Sequence, residues 1–522
     1  MVVEPLKLQP LPTNLIERVA VDHVSSILYV DRAVASSPML LTWVDRCRAS
    51  GVKFTIKPVD VDEVAKLRSG GMRQVLGDDD DKQVRAAALA IICQSADYGA
   101  SDIHLMMRGA HTEIQIVVNG ELRVLTRKTH SEGEALVRAI WQGLAKTKDA
   151  SYNSLEFQNA QIPGEELPPE TCVTSVRIVR GPCYPQSDDG SFMTMRLQYN
   201  AIKKSKKDLP ALELPRRPDG ELQLVSMGYD ESQVEKIRTL MAAPNGIIIY
   251  TGPTGSGKTT SMFEALQDIA RSKPERRLVT IEDPVEYPMD WAVQLAVTNA
   301  KNETETGAAF GERLRVALRM APNIILMGEL RGADVAAAAL EAAVTGHQVW
   351  STMHVTDPYL FVDRLELMDR ERLDRKVFCD HKMVRGVIGQ RLIPKLCPDC
   401  SIPITDQLDA LPARMLKALE TWGDLIHTRL LGKGCASCGG SGTKGRSAVA
   451  EVVVTDAELM RDFIREGSET ARDNHRQKKG TDPSMLEAAI GLALKGEVDP
   501  RKIEDYVDLI EPRDRRRHAN RV

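Results

Sequence analysis

The 522-residue chain contains no stretch approaching the ~20 consecutive apolar residues that a helix needs to cross a bilayer. Its start, Met1 to Pro12, carries Glu4 and Lys7 and is followed by no apolar run, so the expectation is a cytoplasmic protein without a leader. Aromatic residues are only 4% of the chain, which leaves the cores to aliphatic side chains and disfavours a channel that stacks nucleic-acid bases. No charge of one sign dominates: 69 Lys+Arg stand against 73 Asp+Glu, a net −4, which argues against nonspecific coating of nucleic acid. No internal repeat is visible. Cysteine is scarce and odd in number, at nine, and four of these residues form two close pairs. In a reducing compartment that points to metal ligation and not to disulfides. What remains is an ordinary globular composition, 43% hydrophobic and 27% charged. At about 100–200 residues per domain the length suits three or four domains.

Residues 1–80 read as an N-terminal unit whose default role is recruitment. It ends near the run Asp78-Asp79-Asp80-Asp81, which reads as a solvated turn. Residues 83–200 form a second unit, with a helical pattern over 84–92 and strand-like alternation over 113–118, closed by the hairpin signal Asn119-Gly120. Residues 201–222, with four lysines (203, 204, 206 and 207) and Pro210, Pro215 and Pro218, read as a linker and candidate hinge. From 223 to 522 short apolar runs alternate with helical stretches. Runs 247–250, 278–281, 324–327 and 349–353 read as buried parallel strands, and 259–270, 310–321 and 334–345 as helices. The fold class expected is α/β, a RecA-type domain with its ligand site at the carboxyl ends of the strands. Segment 395–445 holds the cysteine pairs, and 455–522 reads as a helical region.

Gly252-Pro253-Thr254-Gly255-Ser256-Gly257-Lys258-Thr259 follows a strand and opens a helix, and Thr260 continues it. This is a complete Walker A pattern. Its glycines let backbone N–H groups face phosphate oxygens, and the helix start adds positive potential. Lys258 is placed to bridge the β- and γ-phosphates of ATP and Thr259 to offer its hydroxyl to Mg²⁺. Hydrolysis also needs a carboxylate near the attacking water. Glu329, at the tip of the strand 324–327, is the candidate. Glu282, Asp283 and Glu286 end another strand and form a candidate acid cluster for Mg²⁺ through waters. Cys397-Pro398-Asp399-Cys400 and Cys435-Ala436-Ser437-Cys438 are two Cys-x-x-Cys knuckles with glycines 434, 439, 440 and 442 around the second. Four thiolates saturate tetrahedral Zn²⁺, so the expected site is structural, with an iron–sulfur centre as the alternative.

These motifs resemble those of the secretion and pilus ATPases of type II secretion and type IV pilus assembly. The run 281–287 looks like the family's Asp box, 314–331 like its arginine helix and Walker B box, and 345–354 like its His box. The resemblance implies a PAS-like middle domain and a homo-hexameric motor working on an inner-membrane platform protein from the cytoplasmic face. It also implies that arginines of the middle domain, best matched by Arg177 and Arg196, close on the nucleotide. Arg315 and Arg319 of the arginine helix, and His347 and His354 of the His box, would couple hydrolysis to neighbouring subunits. The four cysteines imply the assembly and export branch. The sequence departs from the family at Gln115 and Val117, where paired arginines are usual, at Asn323, where Asp is usual, and at Gly332, for which Asp334 is a candidate substitute. A conjugative or DNA-translocating motor on the same scaffold, or an ATPase of a type IVB system, is the alternative. The arginines at 513, 515, 516, 517 and 521 argue mildly for polyanion contact.

Overall fold

A computed structural model describes residues 15, 18–22, 27–35, 37–49, 54–60, 64, 78–109, 111–200, 206, 208–297 and 302–513. Contacts divide the chain into two bodies, one of residues 1–91 with 138–143 and the other of 92–137 with 144–522. In the first, β1 (Val19–Asp22) pairs antiparallel with β2 (Ile27–Asp31), which pairs parallel with β3 (Thr55–Val59). The helix Pro38–Ala49 buries Leu40, Trp43, Val44 and Cys47 against Leu28 and Val30. The aspartate run at 78–81 differs from expectation: it opens the helix Asp78–Asp97.

The second body contains two large sheets. One is built of β4 (Asp102–Arg108), β5 (His111–Val118), β6 (Glu121–Thr129), β7 (Thr147–Lys148), β8 (Gln158–Pro163), β9 (Val173–Pro182) and β10 (Ser191–Tyr199), in the order β6-β5-β4-β10-β9-β8-β7. Asn119 and Gly120, at φ 55° and 82°, turn β5 into β6 as their types predict. The described part of the expected linker is tied down. The Tyr98 hydroxyl donates to the Pro210 carbonyl at 2.9 Å, and Val124 N–H donates to the Glu213 carbonyl at 2.8 Å. Prolines prevent a regular strand there, but carbonyls remain free to accept bonds from the β6 edge. Residues 201–205 and 207, including most of the lysines, lie outside the described residues.

The other large sheet comprises β11 (Gly246–Thr251), β12 (Leu278–Glu282), β13 (Ala292–Ala296), β14 (Ile324–Met327), β15 (Gln348–Met353) and β16 (Val384–Leu396), all parallel. After β17 (Ile402–Pro403) and β18 (Arg429–Leu430), which pair with each other, β19 (Thr443–Val454) returns antiparallel to β16. The order is β13-β12-β14-β15-β11-β16-β19. Side chains alternate between two covered faces. Val279, Ile281, Ile325 and Met327 meet Leu314 and Ala317 of the helix Glu303–Leu318 and Ala336 and Ala339 of the helix Ala333–Val344. Ile248, Tyr250, Leu326 and Trp350 meet Met262, Leu266 and Ile269 of the helix Lys258–Ser272. Each such buried aliphatic contributes about 1.5–3 kcal/mol. This is the RecA-type architecture expected, with helices on both faces of a parallel sheet.

The middle sheet docks on the edge strand β13. Outward carbonyls of Ala292 and Gln294 accept from the Arg108 guanidinium and from Tyr184 N–H at 2.9 Å, while that of Ala296 accepts from Arg313 Nε of the helix Glu303–Leu318 at 2.9 Å. Met106, Val179, Cys183 and Phe192 join the core beneath. An exposed edge would otherwise template association with other chains. At the far side, helices Ala413–Glu420, Met485–Leu494 and Pro500–Tyr506 pack on Ile393, Leu430 and Val449. No helix among the described residues is long and apolar enough to cross a membrane. Four of the five C-terminal arginines, from 515 onward, lie outside the described residues.

Candidate functional site

The phosphate loop leaves β11 at its carboxyl end and enters the helix Lys258–Ser272, with Pro253, Thr254 and Gly255 exposed at its tip. Two glycines are required by geometry. Gly252 has φ 150°, and a Cβ there would strike the Gln390 carbonyl. Gly257 has φ 83°, and a Cβ would lie 2.8 Å from Gln390 Nε2. Lys258 is buried, and its ammonium donates to the carbonyls of Gly252 at 2.8 Å and Pro253 at 2.9 Å. Ser256 Oγ is buried with no partner among the described residues. Burial pulls the Lys258 ammonium below its ordinary pKa. Glu329 opposes that shift, Arg391 adds to it, and Glu286 opposes it. A buried cation bonded to neutral carbonyls, beside an unpaired hydroxyl, is a donor set suited to a polyphosphate. Thr259 and Thr260 begin the helix beside it, half-buried.

Glu329 stands just past β14. Its Oε1 lies 3.0 Å from His354 Nε2, and its Oε2 accepts from Arg331 Nε at 2.7 Å. Lys258, Glu329 and His354 are thus gathered at one end of the sheet. Glu282 ends β12, buried. It accepts from the Thr280 hydroxyl, from Gln294 Nε2 at 3.0 Å and from the backbone N–H of Glu286. Burial raises its carboxyl pKa, and the donors hold it back. Asp283 is half-buried and Glu286 exposed, so the run presents its acids at different depths.

Other expected residues sit elsewhere. His347 precedes β15 and bonds the Ala342 carbonyl through Nδ1 at 3.0 Å, at the end of the strand opposite His354. Arg315 is exposed on the helix Glu303–Leu318, and Arg319, at that helix's end, reaches Asn159 of the middle sheet at 2.5 Å. Arg177 and Arg196 face each other across β9 and β10, both exposed. Arg196 pairs with Asp102 at 2.8 Å. Beside them His104 is fully buried, and burial, Arg277 and Arg196 all lower its pKa. Arg277 precedes β12, at the amino ends of the strands and away from the phosphate loop. Gln115 accepts from Arg277 at 3.2 Å, and Val117 is largely buried. Asn323 accepts from Arg277 N–H at 2.8 Å, so the amide serves as a backbone anchor. Gly332 caps the helix Ala333–Val344, and Asp334 pairs with Arg372 at 2.7 Å.

Three residues that motif reading missed form the rear wall of the loop. Gln390 Nε2 donates to the Ser256 carbonyl at 2.8 Å, and the Tyr229 hydroxyl donates to Gln390 Oε1. Arg391 is buried against Gly252 and donates to the Thr356 carbonyl at 2.6 Å, fixing the segment that follows His354. Gln390 and Arg391 lie more than a hundred residues after Lys258 and Tyr229 lies 29 before it, so no local spacing marks them.

The cysteine site forms where β16 ends and β19 begins. Sulfur separations are 3.8 Å for Cys397–Cys435, 3.9 Å for Cys400–Cys438 and 3.8 Å for Cys435–Cys438. Four sulfurs at ~2.3 Å from a central ion would stand ~3.8 Å apart in a tetrahedron, so the set fits a metal. Backbone N–H groups of Cys435 and Gly442, each 3.2 Å from Cys438 Sγ, hold that thiol down to about 6. Among the described residues this is the group of side chains with metal-ligand geometry.

Comparison with known proteins follows the same lines. The family model described as type II/IV secretion system protein matches residues 211–505. The type IV pilus assembly ATPase PilB of Thermus thermophilus is 32% identical over 413 residues, covering 78% of this chain and 41% of that one. The type II secretion system ATPase E of Vibrio cholerae is 29% identical over 428 residues, 81% of this chain and 75% of that one. The chain therefore spans under half of the first relative's length and three quarters of the second's. Among solved structures, the Legionella pneumophila ATPase DotB aligns at a TM-score of 0.39 and 21% identity, over 78% of this chain and 92% of that one.

Proposed function

This chain belongs to the type II/IV secretion system protein family, and we propose that it is the ATP-hydrolysing motor of a type IV pilus assembly or type II secretion machine. The observation that carries the reading is the convergence of Lys258, Glu329 and His354 on one phosphate loop. Amides of residues 252–259 cradle the triphosphate, and Lys258 neutralises its β- and γ-oxygens. Thr259, with Glu282 through waters, would hold Mg²⁺, which supplies charge neutralisation at the transferring phosphoryl group. Glu329 orients the attacking water and takes its proton. Arg331 and His354 fix its two oxygens beforehand, so little reorganisation accompanies the step. Arg177 and Arg196 complete the site when the middle domain moves, and this requires Arg196 to leave Asp102.

The metal in the cysteine site is zinc and its role is structural, because four thiolates leave no position for water. The motor acts as a homo-hexamer in the cytoplasm, attached to the inner membrane through a platform protein. Arg315, Arg319 and His347 lie away from the phosphates, as suits residues that transmit movement to neighbouring subunits. The test is Mg²⁺-dependent phosphate release by the full chain, with and without DNA, alongside native mass measurement with a non-hydrolysable ATP analogue. Hydrolysis indifferent to DNA, by a six-subunit particle, supports the reading. No hydrolysis rejects the motor, and strong stimulation by DNA favours the translocase.

A further inference from the structure

We propose that Gln294 is the positioning residue through which docking of the middle sheet sets the Glu282 carboxylate and the acidic loop after it. The proposal rests on the ATPase reading and deepens it. Gln294 lies at the centre of edge strand β13, 2% exposed, directly opposite Thr280 of β12. Alternation places Thr280, Glu282 and Gln294 on the face that carries the helix Lys258–Ser272.

Both polar atoms of its side chain are used. The side-chain oxygen accepts from Met289 N–H at 2.8 Å. The amide donates to Glu282 Oε1 at 3.0 Å and to the Tyr287 carbonyl at 2.9 Å. The main-chain carbonyl points off the sheet edge and accepts from Tyr184 N–H, in the loop that joins β9 to β10 of the middle sheet, at 2.9 Å. Beyond the loop, the Tyr287 hydroxyl meets Thr260 Oγ1 at 2.8 Å, and its ring stacks on Phe263 at 4.8 Å. Thr260 and Phe263 both stand on the helix that the phosphate loop opens.

A β-branched residue would fill this strand position at lower cost, since a buried amide is tolerated only when fully paired. The Gln294 side chain is fully paired, and its partners are the carboxylate proposed to help hold Mg²⁺ and the loop beside the nucleotide site, while its main-chain carbonyl meets the docked domain. Movement of the middle sheet along β13 breaks the Tyr184 bond and shifts the strand that restrains Glu282. The effect falls on turnover and not on ATP capture, because the contacts of Lys258 are separate.

The test uses the full-length chain. Gln294→Met keeps the volume and removes donor and acceptor together. The expected result is a kcat about tenfold lower with KM for ATP within about twofold of wild type. A second measurement needs no variant: amide exchange at Tyr184 should change at least about threefold when ATPγS and Mg²⁺ are added, reporting a shift of the docked state. Turnover by Gln294→Met within twofold of wild type, KM rising as much as kcat falls, or a Tyr184 amide indifferent to nucleotide overturns the proposal. If the variant does not fold, the Tyr184 measurement decides alone. A wild-type chain that hydrolyses nothing overturns the ATPase reading first and this proposal with it.

Discussion

The phosphate loop and the cysteine knuckles both use glycines to turn backbone N–H groups inward, yet they differ in what waits at the centre. At the knuckles, Gly434 lies so close to the Gly440 carbonyl that no Cβ fits, and the amides of Cys435 and Gly442 already reach Cys438 Sγ. All four thiols that could hold a metal come from the chain itself, their sulfurs within 4.8 Å of one another. At the phosphate loop, Lys258 is buried against carbonyls and Glu329 is held by His354 and Arg331, so the charge balance is completed from outside. A site that is complete without a substrate is structural. A site that gathers pre-positioned charge around an open loop can turn over.

Substitution breaks the two sites differently. The largest effect is expected for Lys258→Ala, which should lower phosphate release to about one thousandth or less, because phosphoryl transfer depends on charge placed on the departing oxygens. Thermal unfolding should be nearly unchanged, since no carboxylate among the described residues pairs directly with this lysine. Cys438→Ser should do the reverse. Metal bound per chain, measured by elemental analysis, should fall towards zero, and the module should lose about 3 kcal/mol or more in stability. KM for ATP should stay within about twofold of wild type.

The smallest expected effect is a pH dependence of stability set by a buried histidine. His475 is buried, 2.7 Å from the Tyr359 hydroxyl, and its pKa is lowered to about 4, mainly by burial. Lys478 and Arg476 also disfavour its charge, while Asp456 favours it. An unfolded histidine titrates near 6.5, so between ~4 and ~6.5 the unfolded chain binds more protons than the folded one. The contribution is therefore whole above ~6.5 and lost as pH falls towards 4, up to ~3 kcal/mol. Urea midpoints measured across that window should fall with acid in the wild type and fall less in His475→Gln.

Legibility in the sequence followed the distance over which each feature is encoded. The phosphate loop and the knuckles are local, and their spacing was enough to place Lys258 and to bring Cys397, Cys400, Cys435 and Cys438 together. The core strands were equally plain, because a parallel sheet covered on both faces needs continuous apolar runs. Features made by tertiary pairing were hidden. Gln390 and Arg391 reach the loop from a strand far along the chain. Asp102 captures Arg196 from a neighbouring strand. His347 and His354 belong to one short motif, yet the extended strand between them holds them roughly 20 Å apart, one at each end of β15. The 208–213 segment lacks strand periodicity and is still held through carbonyls, Glu213 to the β6 edge and Pro210 to the Tyr98 hydroxyl, which any residue type can supply.

The most direct measurement is Glu329→Gln assayed twice, for equilibrium binding of a fluorescent ATP analogue and for Mg²⁺-dependent phosphate release. Binding should stay within about threefold of wild type while release falls about a hundredfold or more, as removal of a positioned base predicts. Wild-type release by this variant, or loss of binding together with release, would contradict the assignment of Glu329 and the account built on it.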